Sequence, residues 1–587
     1  MTTHLLSGNE AIARGIYEAG VTVASGYPGT PSTEILEAVS RFKGDIYCEW
    51  SPNEKVAFEV AAGAALAGAR AVCTMKHVGL NVAADPLMTL SYIGTVGGFV
   101  ACVADDPGQH SSQNEQDTRH YARFAKIPIF EPADSQEAKE SVALALDVSE
   151  RFDTPVILRT TTRVSHSRGL VRLGERIPPR TAAFERNPPR YVPIPIWGRK
   201  MRVKVEERLG RLAEEASRSR ANRIEWADRG LGIVAVGVAY GYVKEIFPEA
   251  SILKLSWCYP FPDALLREFA AGVEQVLVVE ELDDIVEEHV KALGIPCRGK
   301  DVVARIGELS AGRLRESRAR LEGSDPATVG VPLADEAQDL PGRPPVLCPG
   351  CPHRGVFHGL GKLDVVVTGD IGCYSLGVFP PLSRTDTILC MGAGITMAHG
   401  MDKAGEPRKV VGIVGDSTFF HSGITGLLDI AYNRGSSTII VVDNRTTAMT
   451  GHQDHPGTGR TLMGEPTGEA SIEDLGRACG IRRVVTVDPY DLKATAGVLK
   501  AEVEAPEPSL VVSRAPCPLH TRSRLGPARW IDAETCVQCG NCVKLGCPAI
   551  ESDEESVRIN ELLCLGCGMC EQVCRPGAVW TGEGDRG

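Results

Sequence analysis

RKVVGIVGDSTFFHSGITGLLDIAYNRGSSTIIVVDN, residues 408–444, sets the architecture. RKVVGIV at 408–414 is a short apolar run rich in β-branched residues, HSGITGLLDIAYN at 421–433 is helical in pattern, and STIIVVDN at 437–444 is a second apolar run. Short apolar runs flanking one helix read as a parallel strand–helix–strand unit. The right-handed crossover of such units brings Asp416 and Asn444 to the carboxyl ends of two strands, the edge where open α/β sheets bind ligands. Hard Mg²⁺ takes oxygen ligands and shares them with phosphate oxygens, so this residue pair suits a metal–phosphate site. An Asp at a strand end also caps the next helix. The residues alone leave both readings open.

The same rhythm runs outward along most of the 587 residues. VTVASG at 21–26, ARAVCT at 69–74 and GGFVACVAD at 97–105 alternate with helical stretches, which predicts a parallel-sheet α/β domain over 1–170. The Pro-rich, then Arg/Glu-rich segment 171–229 reads as a linker and an exposed helix. LGIVAVGVAYGYVKEI at 231–246 and VEQVLVVEE at 273–281 predict a second α/β domain over 230–323, and a third spans 346–520 around the opening stretch. A cysteine-rich domain over 530–587 follows. The fold class expected is therefore α/β, with several doubly wound parallel sheets and a small C-terminal domain of another kind.

Composition narrows the function. With 24% charged and 43% hydrophobic residues the chain is neither disordered nor fibrous. Its net charge of −12 lacks the basic footprint of a nucleic-acid binder. No apolar run approaches the length of a membrane span, and MTTHLLSGNEAI carries no basic-then-apolar leader, so a cytoplasmic location without membrane partners is expected. In that compartment, clustered cysteines among the nineteen are ligands before they are disulfides. Cys73, Cys102, Cys258 and Cys390 stand in apolar stretches and are expected to be plain buried residues.

In the tail, Cys536, Cys539 and Cys542 are followed by Cys547, and Cys564, Cys567 and Cys570 by Cys574. Three thiolates in a tight loop plus a distant fourth hold a cubane, so two such units suit two [4Fe–4S] clusters; paired zinc sites would use separated CxxC pairs instead. The tail resembles bacterial two-cluster ferredoxins. That resemblance implies crossed ligation, Cys536, Cys539, Cys542 and Cys574 on one cluster and Cys564, Cys567, Cys570 and Cys547 on the other. Two departures, four residues between Cys542 and Cys547 and a proline displaced to Pro576, leave the second cluster's geometry open.

The GDS…N arrangement resembles the thiamine-diphosphate-binding motif. It implies that Asp416, Asn444 and the backbone carbonyl of Thr446 hold Mg²⁺ against the diphosphate, with Gly415 and Ser417 in the same motif. Such enzymes need a glutamate on the cofactor's aminopyrimidine ring to promote deprotonation of the thiazolium carbon. In Ser51-Pro52-Asn53-Glu54, opening a Gly/Ala-rich helix, Glu54 is the candidate and Glu59 the fallback. Ser51 with Glu54 three residues later also makes a capping box, which would give the glutamate a purely structural task. Tyr27-Pro28-Gly29-Thr30-Pro31-Ser32 resembles a turn of the same superfamily whose threonine contacts the substrate carboxylate, a role Thr30 would inherit; a Pro/Gly turn before a helix has the same composition. Arg119 is the expected cationic partner of a 2-oxoacid carboxylate, since a planar guanidinium matches it. His77 and His110 are further candidates, although a lone histidine is more often structural.

Five segments complete a wider resemblance: MKHVGLNVAADPLMTLSY at 75–92, HSSQNEQDTRHYA at 110–122, CPGCPHR at 348–354, GDSTFFHSGITG at 415–426 and DNRTTAMTGHQDHPGTG at 443–459. Together they resemble the alpha-subunit family of indolepyruvate:ferredoxin oxidoreductases, across essentially the whole chain and in the family's domain order. The resemblance implies a pyrimidine-binding-like first domain, a transketolase C-terminal-like second and a thiamine-diphosphate-binding third. It implies oxidative decarboxylation of aryl 2-oxoacids such as indolepyruvate and phenylpyruvate to the aryl-acetyl-CoA and CO₂. Coenzyme A would be the acyl acceptor, ferredoxin the electron acceptor, and a smaller beta subunit the partner chain in a heterodimer or higher oligomer. Cys348, Cys351, Cys373 and Cys517 resemble positions that bind a third cluster in related enzymes. The same chemistry on pyruvate or a branched-chain 2-oxoacid, a non-redox thiamine enzyme, and a non-catalytic electron-transfer subunit are the competing readings.

Overall fold

The computed structural model describes residues 2–179, 184–329 and 345–581, and the chain divides into two compact units, 1–340 and 341–587.

The first unit is built on a seven-stranded sheet in the order Trp257–Tyr259, Ile129–Phe130, Val156–Thr161, Phe99–Asp105, Ala71–Lys76, Val23–Gly26, Tyr47–Trp50. All neighbours are parallel except Trp257–Tyr259, which runs antiparallel to Ile129–Phe130. Ala71–Lys76, Phe99–Asp105 and Val156–Thr161 are buried along their whole length, as helices on both faces require, which is why they read as continuous apolar runs. A second sheet, in the order Gln275–Val279, Asp228–Val236, Ala250–Leu255, Arg223–Glu225, is parallel apart from its last strand.

Two expectations for this unit need correction. The helix Pro195–Arg218 is not simply exposed: Met201, Val205, Arg208, Leu212 and Ala216 form a buried stripe at helical spacing, and Arg208 donates to the carbonyls of Ser91 at 2.6 Å and Asp153 at 2.7 Å. The surrounding Arg/Glu positions hide that stripe in the sequence. Nor do the regions 1–170 and 230–323 stand apart. The edge strand Arg223–Glu225 begins inside the expected linker, and Trp257–Tyr259 leaves the second region to complete the first sheet.

In the second unit a five-stranded parallel sheet runs Val365–Thr368, Lys409–Gly415, Thr438–Asp443, Ser509–Arg514, Arg483–Val487. The opening stretch thus forms two adjacent central strands. The cysteine-rich tail adds two small antiparallel pairs, Arg529–Ile531 with Val579–Thr581 and Ile550–Ser552 with Val557–Ile559. Its own small core is built from Leu545, Ala549, Ile559, Met569 and Val579 around the thiols. Among the described residues no helix is long and apolar enough to cross a membrane.

Candidate functional site

Asp416 follows the strand Lys409–Gly415, and Asn444 follows Thr438–Asp443, the next strand in the sheet. Both side chains are buried. Asp416 Oδ1 accepts from the Ser417 amide at 2.8 Å; its Oδ2 accepts from the Thr446 amide at 3.2 Å and lies 3.1 Å from His455 Nε2. Burial works to raise the Asp416 pKa, but the adjacent His455 and the Ser417 amide outweigh it and hold the carboxyl below its usual range. It is therefore an anion with hydrogen bonds in place. Asn444 Oδ1 accepts the same Thr446 amide at 3.3 Å, and Thr447 donates to the Ser417 hydroxyl at 3.0 Å. The Thr446 hydroxyl is buried with no hydrogen-bond partner among the described residues. A carboxylate, an amide oxygen and the Thr446 carbonyl form a hard-oxygen donor set, so these residues fit Mg²⁺ and a diphosphate. The helix after Asp416 opens into a π turn over Phe419–Gly423, a distortion frequent beside functional groups.

Three residues here escaped the sequence reading. His455 stands in the quoted DHPGTG run but had no role assigned. His353 is buried, and burial pushes its pKa down to about 4 against the pull of nearby Asp416. Asp370, beyond the end of Val365–Thr368, accepts the amides of Ile371 at 2.7 Å and Gly394 at 3.0 Å, and burial pushes its pKa up to about 7. The signal available was position: each sits at or beside the carboxyl edge of the same sheet.

In the first unit Glu54 opens the helix Glu54–Leu66 and is 4% exposed. The capping-box reading does not hold, because Asn53 is the N-cap, its side chain accepting from the Val56 amide at 2.9 Å, while Ser51 donates to Glu49 at 2.8 Å. Glu59 is exposed and paired with Lys55, which removes the fallback. Glu54 instead points at Gly79, where a Cβ would come within 2.5 Å of its Oε1; only glycine leaves the carboxylate its place. The Thr30 turn is fixed by the Gly29 amide donating to Thr33 at 2.9 Å and the Asn9 side chain donating to the Pro31 carbonyl at 2.7 Å.

Arg119 requires a correction. It is 1% exposed, and its guanidinium is taken up by Asp117, Glu280 and the Glu281 and Asp283 carbonyls, with Glu131 3.6 Å away. With Arg159, which pairs with Asp105 at 2.6 Å and with Glu131, it forms a buried ionic cluster joining segments far apart in the chain. Buried among carboxylates, its guanidinium is not presented to a substrate. The cation beside the Thr30 turn is Lys76, at the end of Ala71–Lys76. Its stem passes Gly29, where a Cβ would be 3.0 Å from Cγ and Cδ, and its Nζ donates to the Ser111 carbonyl at 2.8 Å. Burial brings the Lys76 pKa to about 8, against the upward pull of Asp106 and Glu54. His77 is buried, its Nε2 3.2 Å from the Asn114 carbonyl, while His110 is exposed and 3.7 Å from Glu308.

The tail thiols gather into two sets. One small cavity is lined by Cys536, Cys539, Cys542 and Cys574, another by Cys547, Cys564, Cys567 and Cys570. Burial raises the Cys542 pKa and the neighbouring Cys536 and Cys574 add to it; Cys570 is pushed up to about 12 by burial, then by Cys567, Cys564 and Cys547. Two sets of four thiols suit two four-iron clusters. Cys348, Cys351, Cys373 and Cys517 also come together. Burial raises Cys351 to about 12 with Cys373 and Cys348 adding, and Cys373 to about 11 with Cys348 and Cys517 adding. The Cys517 amide donates to the Asn444 carbonyl at 3.0 Å, so this set borders the Asp416 site. Of the remaining thiols, Cys73, Cys102 and Cys258 are buried as expected, but Cys390 is exposed, in a loop before the helix Ala393–Lys403.

Comparison with known families defines the class. Residues 370–513 match the C-terminal TPP-binding domain of thiamine pyrophosphate enzymes, residues 14–201 the thiamine-diphosphate-binding domain of pyruvate flavodoxin/ferredoxin oxidoreductases, and residues 528–575 the 4Fe-4S dicluster domain. The chain is the alpha subunit of a thiamine-diphosphate-dependent 2-oxoacid:ferredoxin oxidoreductase carrying iron–sulfur clusters. It is similar to indolepyruvate oxidoreductase subunit IorA of Archaeoglobus fulgidus, 41% identical over 98% of this chain and 97% of that protein. The same-named subunits of Methanothermobacter marburgensis and Pyrococcus horikoshii are each 43% identical over 98% of this chain and 96% of theirs. The chain belongs to the indolepyruvate oxidoreductase IorA family.

Proposed function

We propose that this subunit, with a smaller beta subunit, converts aryl 2-oxoacids such as indolepyruvate and phenylpyruvate with coenzyme A to the aryl-acetyl-CoA and CO₂, passing two electrons singly to ferredoxin. The observation that carries the reading is that the second unit holds both a buried hard-oxygen site at the ends of adjacent strands and two four-thiol sets in crossed pattern. The aryl substrate is suggested by the similar subunits, which are named for indolepyruvate.

Asp416, Asn444 and the Thr446 carbonyl would hold Mg²⁺ against the diphosphate, with Gly415 and Ser417 shaping that turn. Thiamine diphosphate, when bound, supplies the electron sink that allows a 2-oxoacid to lose CO₂. Glu54, buried and held against Gly79, is the group for proton transfer to the aminopyrimidine ring. Thr30 and Lys76 receive the substrate carboxylate, Lys76 rather than the buried Arg119 supplying the positive charge. Cys348, Cys351, Cys373 and Cys517, bordering the Asn444 turn, would hold a third cluster as the first electron acceptor.

The test is anaerobic co-purification with the beta subunit, then viologen or ferredoxin reduction with indolepyruvate, phenylpyruvate and pyruvate, with and without coenzyme A. Aryl acids should be preferred and turnover should need coenzyme A; preference for pyruvate over both aryl acids overturns the substrate reading. Glu54→Gln should lose turnover by at least about a hundredfold while still binding thiamine diphosphate. Near-normal activity would remove Glu54 from the chemistry.

A further inference from the structure

Resting on the reading of the tail as cluster-bearing, we infer that a basic concavity in the second unit, over the Cys536/Cys539/Cys542/Cys574 set, is the docking surface for a small acidic one-electron carrier protein. The concavity encloses about 440 Å³ and is lined by Lys362, Arg384, Lys544, Arg575 and His358, with no Asp or Glu. All four Lys and Arg side chains are exposed, and none has a carboxylate within ion-pairing distance among the described residues. Arg384 makes only a 3.2 Å contact to the Gly361 carbonyl. What sets this depression apart on a chain of net charge −12 is that four cations and no carboxylate share one lining. Such a patch attracts and orients an acidic partner through its field.

Its position matches that task. Val573 and Arg575, which line the concavity, flank Cys574, and Asn541, also in the lining, precedes Cys542. The cavity of the other thiol set is lined by Gly350 and Arg354, beside Cys348 and Cys351. Gly350, between Cys348 and Cys351, has Leu565 beside it and accepts the Tyr490 hydroxyl at 2.8 Å, and Arg354 donates to the Leu545 carbonyl at 2.9 Å. The electron order that follows is Cys348/Cys351/Cys373/Cys517, then Cys547/Cys564/Cys567/Cys570, then Cys536/Cys539/Cys542/Cys574, then the carrier. Each carrier that docks oxidises the terminal cluster by one electron and is itself reduced by one. Two dockings balance the two electrons released when one 2-oxoacid and one coenzyme A become an acyl-CoA, CO₂ and one proton. A small anion is the poorer occupant, because such ligands are held by fixed, buried donors, whereas these cations end in solvent.

The experiment uses the full chain with its partner subunit, wild type and a Lys544→Glu/Arg575→Glu double variant, with a purified acidic two-[4Fe–4S] ferredoxin and, separately, methyl viologen. The variant should raise both the ferredoxin KM and its Kd about tenfold or more at low ionic strength and flatten their salt dependence. Viologen reduction and the electron paramagnetic resonance spectrum of the reduced clusters should not change. Lys362→Glu/Arg384→Glu, on the other wall, should behave alike and guards against misfolding of one variant. Unchanged ferredoxin KM and Kd in both overturns the inference, as does a raised coenzyme A KM with ferredoxin binding intact. Absence of cluster signals or viologen activity in the wild type would instead strike the underlying reading.

Discussion

Lys76 and Arg119 show how burial decides what a cation can do. Arg119 is held in the charged state by Asp117, Glu280 and Glu131 and also donates to the Glu281 and Asp283 carbonyls, so it serves packing and register. Lys76 has one hydrogen bond, and burial lowers its pKa from 10.5 to about 8. Its positive charge is complete well below pH 8 and disappears as pH rises through that value. The 2-oxoacid KM should therefore rise above about pH 8 in the wild type. Lys76→Met should raise that KM about ten- to a hundredfold near neutrality, in line with loss of a charged hydrogen bond, and abolish the rise at alkaline pH. Steady-state KM against pH for both proteins checks this; a variant with unaltered KM would exclude Lys76 from the carboxylate.

At the scale of elements, the helix Pro195–Arg218 owes its place to one apolar stripe on an otherwise charged cylinder. Leu212, fully buried on that stripe, should cost about 2–5 kcal/mol when replaced by Ala, read as a fall in urea midpoint. Val203→Ala, on the solvent face at 57% exposure, should leave the midpoint nearly unchanged. Such stripes also mark the limit of what the sequence discloses. The central strands are legible because burial on both faces demands unbroken apolar runs, and Asp416 and Asn444 because strand ends are where those runs stop. The tail cysteines are legible from spacing alone. Glu280 as the partner of Arg119 is not, since 161 positions separate them and no local pattern links them. Nor is Asn53 as the cap: Ser51, Pro52 and Asn53 are all acceptable near a helix start, and backbone geometry chooses among them. Lys76 is hidden in a strand where a charged residue ought not to be buried.

For the molecule as a whole, the count of clusters is the decisive quantity. Three four-thiol sets predict about twelve irons per chain after anaerobic purification, where two sets would give about eight. Cys517→Ala should lower the content by about four while leaving the tail clusters' spectra in place; equal iron in variant and wild type would leave the inner thiols as ordinary residues. The Cys348/Cys351/Cys373/Cys517 set beside the Asn444 turn and both tail sets belong to the second unit, so the proposed electron route stays within the fold of that unit.

The strand Trp257–Tyr259 has a practical corollary. Because it completes the sheet begun by the first hundred and sixty residues, and because Glu280 comes from the same later region, a gene fragment ending near residue 230 would encode a piece with Ile129–Phe130 laid bare at an open margin and Arg119 lacking one of its counter-charges. The two sheets of the front half are sewn together by a strand that passes from one region into the other, so neither region is complete when cut from its neighbour.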